Sequence, residues 1–379
     1  MRLKRAVSAF IISALLVSAA PLCFAAAPEV SAAACVVCDA ETGTVVYEKN
    51  ASRQLPIAST TKLMTALVAL ENLSANEKIT IKREWAAVEG SSMGLREGEE
   101  CSVRELLYGL LLASGNDAGL ALACHAAGSV EAFAALMNDK AAELGMEGTH
   151  FTNPHGLDDA EHYSTARDMA LLAAACLKEP ELALIVSTRE ARLTPQRYYS
   201  NHNRLLWECE GCIGLKTGYT SRAGRTLVSA CEREGTRLIC VTLCDPCDWA
   251  DHKALYDWAF DNYRTLSFGA ENTEYSLPLV SGVKDSLRVT ALGAARVFAS
   301  AADEVELREN LPRFVYAPMK QGDRVGSVEI FVNGEKRARL ALVAAEDAPL
   351  AEGATLNFWE QIRWSWQRAN EYNLVGTAW

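Results

Sequence analysis

Ser59 and Lys62 stand three residues apart in Pro56–Leu70, PIASTTKLMTALVAL. On a helix that spacing is about one turn, so hydroxyl and amine share a face. Leu63, Met64, Ala66, Leu67, Val68, Ala69 and Leu70 make the run behind them almost continuously apolar, and a helix apolar on all sides belongs inside a domain. A lysine at the head of such a helix loses solvation, which favours its neutral form. A neutral amine beside a serine hydroxyl is a general base beside a nucleophile. Ordinary residue frequencies produce about one Ser-x-x-Lys in a chain this long, so the pair has to be judged with what lies at a distance.

Two further polar clusters sit where polar residues need a reason. Ser114-Gly115-Asn116 is pinched between the apolar helices predicted at Val103–Ala113 and Ala118–Ala127. Buried polar groups need partners, although Ser-Gly-Asn also suits a plain helix–helix turn. Ser102 and Glu105 give the first of these helices a capping box. Lys216-Thr217-Gly218 precedes two β-like runs, Arg225–Cys231 and Arg237–Cys244, joined at Glu232–Gly235 by a charged turn ending in glycine. The three residues therefore lie on or beside a strand of an antiparallel sheet. A glycine there lets a ligand or another backbone come close.

These clusters sit in a chain of 379 residues, half of them apolar and 22% charged, enough for two domains and a sizeable core. Residues 1–27 read as an export signal: a basic head of Arg2, Lys4 and Arg5, an apolar run Ala6–Val17, and a small-residue cleavage site at Ala25–Ala27. The apolar run is short for a membrane span. Cleavage removes three cations and no anion, taking the net charge from −11 to −14, which argues against nucleic acid as a partner. Of twelve cysteines eleven remain, an odd number, so at least one stays unpaired within a monomer. Cys35 and Cys38 fall in a predicted strand, where positions three apart face opposite ways. Cys209/Cys212 and Cys244/Cys247 flank turns and suit plain thiols or local disulfides better than a metal, because no histidine stands at finger-like spacing.

The remaining elements are read in order. Ala33–Asp39 and Thr44–Tyr47 are short strands preceding the Ser59 helix, and Gly90–Gly98 is a polar glycine-rich loop. Val130–Leu144 and Asp168–Leu177 are helices flanking a long loop, Phe151–Ala166, and Trp249–Tyr263 is a helix packing on the sheet. Residues 264–274 read as a join, and Tyr275–Ala345 as a run of strands with a hairpin turn at Asn333-Gly334. In the tail, Leu356, Trp359, Ile362 and Trp366 approximate one helical face. That face suits docking in a membrane interface or packing on the protein itself.

Taken together, Ser59-Thr60-Thr61-Lys62, Ser114-Gly115-Asn116 and Lys216-Thr217-Gly218 follow one another 55 and then 102 residues apart. This order resembles the active-site serine penicillin-recognising enzymes. The flanks PIASTTKLMTAL, LLASGNDA, NPHGL and GLKTGYTSRAGRTLVSA are similar to the D-alanyl-D-alanine carboxypeptidases among the low-molecular-mass penicillin-binding proteins. The similarity runs over about residues 30–265, and GDRVG at Gly322–Gly326 extends it more weakly. It implies an α+β fold: a catalytic domain over 28–265 built of an antiparallel sheet and a helical region, a small β domain over 271–348, and an amphipathic tail over 351–379.

The resemblance also implies the chemistry. The substrate is a peptidoglycan stem peptide ending in D-Ala-D-Ala. Ser59 attacks the penultimate carbonyl and Lys62 takes its proton. Ser114, helped by Lys216, relays the proton to the leaving D-alanine, and Asn116 hydrogen-bonds Lys62 and the substrate amide. Lys216 and Thr217 hold the terminal carboxylate, Gly218 gives the substrate backbone room, and the N–H groups of Ser59 and Tyr219 form the oxyanion hole. β-Lactams are trapped on Ser59, and no metal or other cofactor is implied. There are departures. The family often places a carboxylate-holding arginine near the final helix, where this chain reads Asp248-Trp249-Ala250-Asp251-His252-Lys253; Arg222 and Arg225 are the substitutes at hand. Thr226 stands where a cysteine is frequent. Neighbouring activities are a β-lactamase, for which Phe151–Ala166 offers only Glu161 as a water-activating carboxylate, a D,D-endopeptidase, and a catalytically dead wall-binding protein.

Overall fold

The computed structural model describes residues 26–195, 197–352, 357 and 359–363. The export segment and most of the tail thus lie outside the described residues, apart from Asn357 and a helical turn over 359–363 in which Trp359 is 71% exposed.

An antiparallel sheet of five strands forms the frame, in the order Val45–Lys49, Ala34–Asp39, Thr236–Leu243, Gly224–Arg233, Cys212–Thr220. Its strands are apolar on both faces because both are covered. Val36, Cys38, Leu215, Val228, Ala230 and Val241 face the helical region. Cys35, Val37, Leu227, Cys231 and Cys240 face Leu255, Tyr256 and Ala259 of the Asp248–Asn262 helix. Cys35 and Cys38 therefore point to opposite faces, as their spacing predicts. The turn between the last two strands of the chain order holds Glu234 at φ +48° and Gly235 at φ +76°, the left-handed pair of a tight hairpin.

In the helical region the Lys62–Asn72 helix is central, buried along its first eight residues and surrounded by Val103–Leu111, Asn116–Ala127, Val130–Glu143 and Ala166–Lys178. The capping box forms: Ser102 N–H donates to Glu105 Oε2 at 2.7 Å and Ser102 Oγ accepts from Glu105 N–H at 3.2 Å. Two features lie in the stretch the sequence left unassigned. Pro180–Ser187 is a helix with proline at its first position, and Glu190–Thr194 pairs with Arg197–Ser200 as a hairpin.

Past residue 268 the chain has its own core, with Leu287, Val289, Val328, Ile330 and Leu342 buried. It belongs to a six-stranded sheet ordered Val305–Asn310, Arg324–Val332, Glu335–Ala344, Ser286–Leu292, Glu274–Val280, Val315–Tyr316. The reading of 264–274 as a join is corrected: Tyr263–Gly269 is a strand pairing with Ala294–Ser300. Thr265 N–H donates to Thr236 Oγ1 at 2.7 Å, and Arg296 pairs with Glu41 at 2.8 Å. The connection is thus itself structural, contacting the five-stranded sheet on one side and the second β-rich core on the other.

Candidate active site

Ser59 lies in a single 3-10 turn, Ala58–Thr61, that runs straight into the Lys62–Asn72 helix. Ala58 is left-handed, φ +47°, a conformation that costs a residue with a Cβ roughly 1 kcal/mol. Two walls hold it. On one side, Gly156 of the NPHGL loop is so close that a Cβ on it would sit 1.9 Å from Ala58 O. The same loop is tied down by Thr65 Oγ1, donating to Pro154 O at 2.6 Å, and by Thr61 Oγ1 against His162 Nε2 at 2.8 Å. On the other side, Thr226 Oγ1 donates to Ile57 O at 3.1 Å. A Cβ on Gly218 would come within 2.9 Å of Ser59 N. The glycine of the third cluster therefore brings the sheet edge against the nucleophile.

Lys62 is fully buried, and its Nζ donates to Ser59 Oγ at 2.8 Å and to His155 O at 2.7 Å. Burial first, and the like charge of Lys216 second, hold its pKa well below the usual lysine value, against the pull of Asp117. Lys216 is 1% exposed, donates to Thr217 O at 2.9 Å, and is lowered to about 7 by burial. The sequence points to both lysines but not to His155, whose contribution is a main-chain carbonyl.

Ser114 is 5% exposed and left-handed at φ +59°. The second helix starts earlier than the sequence reading, at Asn116, so Asn116 and Asp117 form its first turn. The expected Asn116–Lys62 hydrogen bond is not present. Asn116 Nδ2 instead donates to Glu89 O at 2.6 Å, and its backbone N–H to Ser91 O at 2.7 Å. Asp117, fully buried and not singled out by the sequence reading, completes the anchoring. Its carboxylate accepts from Ser92 Oγ at 2.6 Å and from the N–H groups of Met93, Gly94 and Leu95 at 2.8, 3.0 and 3.1 Å. The polar residues after Ser114 thus hold the glycine-rich loop across the cleft.

The clusters open on one cleft of about 330 Å³, where Ser59, Ser114, Thr217, Gly218 and Tyr219 meet Ser91, His202, Arg225, Asp248 and Trp249. Lys62 and Asn116 sit behind it. Arg225 Nε donates to the buried Asp248 at 2.9 Å, and its guanidinium lies 5.3 Å from the Trp249 ring centre. Of the two arginines weighed from sequence, Arg225 lines this cleft and Arg222 does not. Glu161 is exposed and absent from the lining. Among the described residues, no group of three or more His, Cys, Asp or Glu is placed to hold a metal ion.

A serine hydrogen-bonded to a buried, pKa-depressed lysine, set between a helical region and a sheet edge, defines an active-site serine enzyme built for acyl transfer. The chain belongs to the Peptidase_S11 family, D-alanyl-D-alanine carboxypeptidase, whose pattern matches residues 23–246. It is 31% identical to the D-alanyl-D-alanine carboxypeptidase DacF of Bacillus subtilis, over 97% of this chain and 100% of that one. With DacC of Escherichia coli it shares 35% identity over 88% of this chain and 90% of the other. The crystal structure of penicillin binding protein 5 from Haemophilus influenzae superposes with a TM-score of 0.65 at 30% identity, covering 85% of this chain and 98% of that one. The α+β penicillin-binding fold read from the motifs is the fold of the chain.

Proposed function

We propose that this protein is a serine-type D-alanyl-D-alanine carboxypeptidase that removes the terminal D-alanine of peptidoglycan stem pentapeptides through an acyl-enzyme on Ser59. The observation that carries the reading is the 2.8 Å hydrogen bond from the fully buried Lys62 Nζ to Ser59 Oγ. In its neutral form Lys62 takes the hydroxyl proton as Ser59 attacks the penultimate carbonyl. Ser114 returns a proton to the departing amine, with Lys216 behind it supplying charge. The N–H groups of Ser59 and Tyr219 receive the oxyanion, an interaction whose loss costs on the order of a hundredfold in rate. Lys216, Thr217 and Arg225 receive the terminal carboxylate. With a pKa of about 7, Lys216 is only partly charged near neutrality, whereas a guanidinium is always charged. Asp248 and Trp249 keep that guanidinium aimed at the cleft. Asn116 serves as a support of the 89–91 segment. Water then releases the acyl-enzyme. β-Lactams, whose ring carbonyl mimics the scissile amide, remain on Ser59, and Glu161, the carboxylate weighed for a β-lactamase, is exposed and does not line the cleft.

The site of action is outside the cytoplasm, consistent with the basic-then-apolar N-terminus. The aromatic tail, with Trp359 and Ile362 exposed, docks on the membrane surface. Mass spectrometry after incubation with labelled penicillin tests the central claim: the adduct maps to Ser59 and disappears in Ser59→Ala, together with D-alanine release from a pentapeptide. A wild-type protein that acquires no adduct and releases no D-alanine refutes it. Loss of liposome flotation on deletion of 353–379 tests the tail.

A further inference from the structure

Among the thiols on the face of the sheet away from the Ser59 helix, three that the peptidase chemistry leaves unused lie together at one end of the Cys212–Thr220 strand. Cys209 caps the short Leu205–Glu208 helix, Cys212 opens the Cys212–Thr220 strand, and Cys231 lies opposite Cys212 on the neighbouring strand. Cys209 Sγ is 3.7 Å from Cys231 Sγ. We infer that Cys209 and Cys231 form an oxidisable pair, a modification site for small-molecule or protein disulfides. This inference is independent of the reading of the Ser59 cleft.

The surroundings fit a thiol that reacts first and a partner that reacts second. Cys209 is itself buried, 8% exposed against 0% for Cys231, and sits between the exposed Glu208 and Glu210, with Arg233 Nη2 approaching its sulfur at 3.8 Å. Arg233 is fixed by Glu210 O at 3.2 Å and Asp257 at 3.0 Å. The hydrogen bond from Cys231 and the nearby guanidinium bring the Cys209 thiol down to about 7, while burial pushes Cys231 up. A thiolate is the attacking form. Cys209 thiolate attacks an external disulfide and expels one thiolate. Cys231 then attacks the mixed disulfide at Cys209 Sγ, losing its proton and expelling the second. Two protein thiols are oxidised, and one external disulfide is reduced to two thiols that take up the protons. The approach to the about 2.05 Å of a disulfide falls to Cys209, which is in a turn, since Cys231 is held within the sheet. The two cysteines are 22 positions apart and the loop between them contains Lys216, Thr217, Gly218 and Tyr219, so the bond staples the foot of the substrate-binding strand to its neighbour.

The full chain is incubated with glutathione disulfide, alkylated, and digested without reduction. The expected result is a Cys209–Cys231 linked peptide and a rise in Tm of about 5 °C that dithiothreitol reverses. Cys209→Ser and Cys231→Ser lose both signals, whereas Cys212→Ser and a Cys244→Ser/Cys247→Ser double variant keep them. Full alkylation of Cys209 and Cys231 in the treated wild type overturns the inference, as does a linkage that maps to Cys212–Cys231 or to Cys244–Cys247 alone. Both readouts are independent of D-alanine release, so they stand or fall apart from the proposed activity.

Discussion

Replacing Lys216 by methionine separates what its burial costs from what its charge does. The side chain is 1% exposed with a single protein hydrogen bond, to Thr217 O. Its pKa falls from 10.5 to about 7 through burial. Between those two values the unfolded chain holds the proton and the folded chain does not, so wild-type stability rises with pH by up to about 1.4 kcal/mol per pH unit. The whole interval amounts to roughly 5 kcal/mol, an upper bound. Methionine carries no such term. Lys216→Met is therefore more stable than wild type near pH 7, and its advantage shrinks steadily towards pH 10. Urea unfolding of both proteins at several pH values gives the difference, with titrations other than those of Lys62 and His202, which feel the Lys216 charge, cancelling to first order. The same substitution removes the like charge that helps depress Lys62. The acidic limb of the Ser59 acylation profile, followed with a fluorescent penicillin, moves up in pH, whatever the loss in absolute rate. A stability difference flat in pH, or an acidic limb that stays put or moves down, refutes the account of the two lysines.

Other changes probe the walls of the cleft. Gly156→Ala puts a Cβ 1.9 Å from Ala58 O at a residue with φ +83°, so it lowers stability by at least about 2 kcal/mol and abolishes penicillin labelling. Thermal melts and adduct mass check both. Asp117→Asn turns one acceptor of the Met93–Leu95 amides into a donor and costs about 1–3 kcal/mol; increased proteolysis within 90–98 is the local sign, and an unchanged cleavage pattern counts against the anchoring role. Arg225→Ala raises KM for an acyl-D-Ala-D-Ala substrate by about tenfold or more, with little change for the C-terminal amide. Equal effects on both substrates remove Arg225 from carboxylate binding.

Much of this site is legible in the residues because its chemistry resides in side chains. Ser59, Lys62, Ser114, Lys216 and Thr217 announce themselves through type and spacing, and the structure places all five in or directly behind one cleft. The opposite facing of Cys35 and Cys38 and the Ser102–Glu105 capping box were legible because strand and helix periods are local rules. His155 was not, since it acts through a carbonyl that every residue possesses. The hydrogen bond from Asn116 to Glu89 O was not legible, because that carbonyl belongs to a loop whose path depends on tertiary contacts. Thr226, in sequence only a residue standing where a cysteine is frequent, ties the sheet to Ile57. The Tyr263–Gly269 strand escaped because its residues are half-buried rather than cleanly alternating, a weak signal when the pairing partner lies some thirty residues away.

The Cys212–Thr220 strand is the last in its sheet. A terminal strand ordinarily invites any extended chain to pair with it. Here the nucleophile turn presses against Gly218, so an incoming peptide that adds itself as a further strand passes directly over Ser59. The same geometry that makes sheet rims prone to sticking becomes a ruler, aligning main-chain amides by register before any side chain is read. A peptide bound in that way would be tolerated with varied residues upstream of its terminal dipeptide, because the pairing atoms are common to every amino acid.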